Sequence, residues 1–217
     1  DDWRWDWTFP CETTLFRGTD REWGRRLRYF HRTSFPYRHS FTKWQEKYLK
    51  DHPEYFGQNP YGTRGLSAKH AKSVKLCLSN PAVIDQILAD WQAAGTNRFL
   101  NVCENDGAGF CRCENCLRLD ADRPGEDFLA TKTDRYLNLW NRIAKKLVAI
   151  RPDVMLDTYA YSSYRDPPRR ERVAYPDNMC FGMVPSQEDD NQRQIRAWKE
   201  MGMKHFKLRP NYLCYTG

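Results

Sequence analysis

The sequence predicts an α/β protein built as a (β/α)8 barrel that is incomplete in this chain, and three observations carry that expectation. Short apolar runs alternate with amphipathic helical ones from Pro81 to Tyr212, the pattern of parallel βα units. Neither GxGxxG nor GxxxxGK[ST] occurs, so the phosphate turns of dinucleotide and nucleotide folds are missing. Polar residues of functional type fall where strands end, as in Glu104–Asp106, Tyr159–Tyr164 and Arg209–Asn211, which is where barrel enzymes keep their sites. At 217 residues the chain reads as one partial barrel domain, 1–217. A complete barrel takes about 250 residues.

The elements follow in order. "PAVIDQILADWQAAG" has Pro at a helix start and Gly at its end, with Val83, Ile84, Ile87, Leu88 and Trp91 at helical spacing. "NRFLNVCEN", Asn97–Asn105, is short and apolar like a buried strand. "TDRYLNLWNRIAKKLVAI" puts Tyr136, Leu137, Trp140, Ile143, Ala144 and Leu147 on one helical face and stops at "RPD". Strands are expected at Val154–Ser163, Asn178–Pro185 and His205–Tyr212, with a helix over Asp190–Gly202. The Pro167–Pro168 pair makes the stretch from Tyr164 to Asp177 an irregular crossover.

Composition narrows the function classes. Hydrophobic residues at 40% and charged ones at 29% fit a folded globular chain. The formal charge of +7 suggests anionic partners, but the basic residues are scattered and no stripe with interleaved aromatics forms, so nucleic acid is not expected. No apolar run approaches the ~20 residues of a membrane span. The opening "DDWRWDWTFP" has no signal-peptide pattern and no initiator Met, so the chain reads as a mature product or an excerpt. Nothing in the sequence sets an oligomeric state.

The stretch "NVCENDGAGFCRCENC" holds two signals. If the strand runs on through Asp106, Glu104 and Asp106 leave it on one face with α-carbons roughly 6.5 Å apart. That spacing permits paired-carboxylate chemistry, and equally a turn at Asp106–Gly107 with Glu104 paired to an arginine. Cys111, Cys113 and Cys116 have the local spacing of thiolate ligands to zinc, which takes four. The fourth would be Cys103, a histidine such as His70, or a residue outside the chain; the competing reading is one disulfide and a free thiol. Any metal here would be structural. Tyr159 and Tyr161 share a strand face and suit either a sugar site or a barrel interior, and His39 falls near a strand end.

"HPEYFG", "ENDGAGFCRCENC", "DRYLNLWNRIAKKLVAIRPD", "YAYSSYRDPP" and "LRPNYL", in this order, resemble domain-of-unknown-function family 4838. The family includes the endo-β-N-acetylglucosaminidases of glycoside hydrolase family 163 and is more distantly similar to α-glucuronidase and β-hexosaminidase barrels. The resemblance runs from about Trp23 to the C-terminus. It implies a (β/α)8 barrel in a secreted or periplasmic bacterial protein, and a chain that stops short of the last barrel strands. The expected activity is glycoside hydrolysis of a complex glycan, with no cofactor needed for catalysis. Glu104 is expected as general acid/base and Asp106 as its partner, a nucleophile or the group orienting an N-acetyl amide. His39, Asn105, Tyr159, Tyr161, Arg209 and Asn211 would hold the sugar. A non-catalytic glycan-binding or structural barrel is the alternative, and a zinc-knuckle nucleic-acid module a weaker one, given Glu104, Asp106, Glu114 and Asp120 around the cysteines.

Overall fold

The computed structural model describes residues 6–7, 39–184 and 188–208. In chain order these form strand β1 (Asp6–Trp7), helix α1 (Trp44–Tyr48), α2 (Pro81–Ala93), β2 (Phe99–Asn101), α3 (Glu114–Leu119), α4 (Thr133–Ile150), β3 (Met155–Ala160), β4 (Met179–Met183), α5 (Glu188–Glu200) and β5 (His205–Leu208). Short 3₁₀ turns sit at Pro53–Tyr55, Ala68–Ser73 and Ser162–Tyr164.

The two long central helices follow their patterns. Asn80 Oδ1 accepts the Ala82 amide at 3.0 Å and Pro81 takes the first helical position, so α2 starts where its cap dictates. Gly95, at φ +91°, turns the chain away after its end. In α4 the expected face is buried from Tyr136 to Leu147.

All strand pairs are parallel, in the order β1-β5-β4-β3-β2. β2 to β5 are thus neighbours in chain order, with α4 between β2 and β3 and α5 between β4 and β5. The β3–β4 connection holds only the 3₁₀ turn at Ser162–Tyr164, as the prolines require. This is a parallel α/β sheet compatible with part of a barrel.

β4 is buried along its whole length. Phe181 faces the helices, its ring 6.1 Å from Trp140 of α4 and 4.1 Å from Trp198 of α5. Gly182 points the other way, and there a side chain does not fit: a Cβ would come 2.9 Å from Lys207 Cε and 3.1 Å from Tyr159 Cβ. The missing side chain lets Lys207 of β5 reach across β4 to Asp157 of β3, 2.5 Å away. Both are buried, so this sheet face carries an internal ion pair while the other packs Phe181 against the helices.

β2 is shorter than its apolar run. The Asn101 side chain accepts the Cys103 amide at 2.8 Å, and Ser40 binds the Asn101 carbonyl through Oγ and the Cys103 carbonyl through its amide. These local bonds end the ladder and send the chain into a loop. Glu104 and Asp106 therefore leave a loop, not a common strand face.

Candidate active site

Glu104 lies just past the C-terminal end of β2, with its side chain buried. Its Oε1 accepts its neighbour Asn105's amide at 2.9 Å, and its Oε2 accepts the Tyr136 hydroxyl at 3.2 Å. Its backbone carbonyl accepts the Tyr159 hydroxyl at 2.9 Å and faces His39 Nδ1 at 2.6 Å. Burial pushes the Glu104 carboxyl above the usual carboxylate range, with the charge of Lys75 pulling the other way. Among the described residues no cation lies within 4.0 Å of its carboxylate. The Tyr136 hydroxyl is itself pushed well up, first by burial and then by the Glu104 charge.

Asp106 is different. Its side chain is 60% exposed, and Oδ2 lies 3.1 Å from His39 Nε2. His39 thus bridges the Glu104 backbone to the Asp106 carboxylate. The structure brings Glu104, Asp106, His39, Tyr159 and Tyr161 to one corner, with the rings of Tyr159 and Tyr161 5.8 Å apart. Tyr159 is buried and holds the loop, whereas Tyr161 is half-buried. Asn105 is fully buried: its Nδ2 donates to the Val74 carbonyl at 2.9 Å, and its carbonyl accepts Lys75 Nζ. Arg209 and Asn211 lie outside the described residues.

The cysteines form a second site on the same loop. The sulfurs of Cys77, Cys111, Cys113 and Cys116 all lie within 4.8 Å of one another. Cys77 Sγ stands 3.7 Å from Cys111 and Cys113 and 3.9 Å from Cys116. Four sulfurs at ~2.3 Å from a zinc ion would be separated by about 3.8 Å. A disulfide needs about 2.05 Å, and these four cysteines are free thiols. The Gln58 amide donates to Cys111 Sγ at 3.2 Å and the Ser79 amide to Cys116 Sγ at 3.4 Å. Arg135 donates to the Cys111 carbonyl at 2.8 Å and Arg142 to the Leu78 carbonyl at 3.1 Å. Hydrogen bonds from Cys111 and Cys116 pull the Cys77 thiol down, while Cys111 and Cys77 push the Cys116 thiol up. Metal-free, the group cannot hold four negative charges; a dication lets all four be thiolates.

The fourth member of this group, which could hold a metal ion, is thus Cys77, not Cys103 or His70. Cys103 faces the sheet, its sulfur 4.0 Å from the Asp157 carbonyl, and His70 is exposed beside Ser67. Sequence reasoning missed Cys77 because it lies far from the other three and reads as a core thiol in "KLCLSN". It also missed Lys75 and Tyr136. Lys75 interrupts an otherwise apolar stretch, which is a signal; Tyr136 sits on the apolar face of α4 with nothing to mark its hydroxyl.

No curated protein and no solved structure matches the chain. A family model described as "Domain of unknown function (DUF4838)" matches residues 4–206, nearly the whole chain. On that match, this chain belongs to the family.

Proposed function

We propose that the chain is the catalytic part of a glycoside hydrolase with a (β/α)8 barrel, acting on a complex glycan through Glu104 as general acid/base. The observation that carries this reading is a buried carboxyl with a raised pKa, held at the C-terminal end of a parallel sheet beside an exposed second carboxylate. Glu104 gives its proton to the leaving oxygen as the glycosidic C–O bond breaks, and takes one back from the water that adds to the anomeric carbon. Asp106, held by His39, sits at the open side of the corner. There it steadies charge at the anomeric carbon or, on an N-acetylated sugar, orients the amide. An endo-β-N-acetylglucosaminidase, secreted or periplasmic, is the specific form that the family resemblance supports.

The thiol cluster is read as a structural zinc site. Four cysteine ligands leave no open position, so the ion would brace the loop and take no part in bond cleavage. Tyr161 is left to meet the sugar, while Tyr159 and Asn105 hold the loop that carries Glu104.

One observation favours a second reading, a glycan-binding barrel without catalysis: both carboxylate oxygens of Glu104 already have protein partners. Replacing Glu104 by Gln separates the two. Hydrolysis of glycan substrates should vanish while binding persists; a variant as active as the parent protein would remove Glu104 from the reaction.

A further inference from the structure

Lys75 is a buried ammonium with too few partners, and it lines a cavity. The cavity, of about 240 Å³, lies between the loop 57–66 and the chain 108–112. Lys75 and Arg112 both line it, and among the described residues no aspartate or glutamate does. Lys75 is 3% exposed, yet among the described residues no carboxylate lies within 4.0 Å of its Nζ. Its one hydrogen bond among those residues goes to the Asn105 carbonyl, so two of its three N–H donors are unspent. The Phe110 and Tyr164 rings, at 5.0 and 5.8 Å, offset part of the burial cost. The Glu104 and Asp106 charges act on it only from beyond ion-pair distance, so this buried cation still gains from an anion in direct contact.

The surroundings say what that group is attached to. Gly109 lines the cavity, and a Cβ there would meet nothing within 4 Å, which leaves its backbone within reach of a ligand. Tyr61, the next residue after cavity-lining Pro60, is 90% exposed, an aromatic ring with no neighbour to cover it. A bare ring one residue along the chain from the lining of a cationic cavity suits a sugar that carries a negative charge: the ring takes the apolar face of the pyranose and the cations take the substituent.

We propose that this cavity is a subsite for an anionic substituent of the glycan, a carboxylate or a sulfate ester, held by Lys75 and Arg112 with the sugar against Tyr61. The assignment rests on the glycan reading above and narrows its substrate class to acidic glycans.

The test is calorimetric or NMR binding of glucuronic acid, glucose 6-sulfate, glucose and inorganic sulfate to the intact protein. The acidic sugars should bind roughly tenfold or more tightly than glucose, as one or two charge-assisted bonds allow. Arg112→Gln, at an exposed position, and Lys75→Met should each erase most of that preference, and Tyr61→Ala should weaken all the sugars alike. Equal binding of glucose, a preference that survives both charge variants, or inorganic sulfate binding as tightly as the sulfated sugar would each overturn the assignment. An acidic preference in a protein that hydrolyses no glycan strikes the hydrolase reading alone. Hydrolysis of neutral and acidic glycans with equal efficiency strikes the cavity alone.

Discussion

One loop carries two sites of opposite character. Around Cys111, Cys113 and Cys116 each sulfur meets another sulfur, a backbone amide or a hydroxyl, and arginines brace the adjoining backbone. Around Glu104 the groups are left unbalanced: a buried carboxyl with no cation within 4.0 Å, a buried Lys75 with one hydrogen bond, and an Asn105 Oδ1 without a partner among the described residues. A closed, satisfied arrangement favours stability, and an unsatisfied one held in place by its neighbours marks where a ligand or a reaction belongs. The first end of the loop fixes the second.

That contrast can be broken from the thiol side first. Stripping metal from the reduced protein with a strong chelator should cost several kcal/mol of stability, up to about 10 by comparison with other structural zinc sites. Cys77→Ser should lose the bound equivalent as surely as Cys111→Ser does. A Cys77→Ser protein with a full metal complement and an unchanged melt would show that the fourth ligand lies elsewhere.

The buried Lys207–Asp157 pair supplies a satisfied polar contact that belongs to neither site. Lys207→Met takes this buried cation away from the Asp157 carboxylate and should cost about 3–5 kcal/mol in denaturant unfolding. A much smaller loss would mean water reaches that face of the sheet, weakening the account of burial beside Glu104.

Tyr136→Phe sharpens the carboxylate side. It removes a hydrogen bond to a buried carboxylate and should cost about 1–3 kcal/mol. That bond favours the ionised form, so its loss should raise the Glu104 pKa further. The alkaline limb of any pH–rate profile, where the general acid loses its proton, should then move to higher pH. An unmoved limb would place the titrating group elsewhere.

The smallest effect is in stability against pH. The Glu104 pKa is raised above an unfolded value of about 4.3, so its contribution is fully present below that pH and is lost as pH rises through the folded value. Glu104→Gln should flatten this decline, gaining on the parent protein from acid to neutral pH. Parallel curves would argue that the carboxyl ionises freely.

Much of the scaffold was legible because burial writes a period into sequence. The apolar face of α4 and the Asn80–Pro81 start of α2 are local signals, and the helices form where those signals put them. β2 stopped early for a reason that periodicity does not carry: the Asn101 side chain and Ser40, distant in sequence, close the strand end together. The same holds for the sites. Glu104 and three of the cysteines stood out as a cluster, but Cys77, Lys75 and Tyr136 join them only through the fold, and composition gives a buried lysine no mark beyond its apolar neighbours. Arg209 and Asn211 remain expectations, since they fall outside the described residues.

Turnover of a panel of bacterial and host glycans by the parent protein and by Glu104→Gln, both shown to be folded, decides whether Glu104 does the chemistry. The parent should hydrolyse its substrate and the variant should show a fall of roughly 10²–10⁴ in kcat with KM little changed, as loss of a general acid/base gives. Equal turnover by the two proteins would contradict that role.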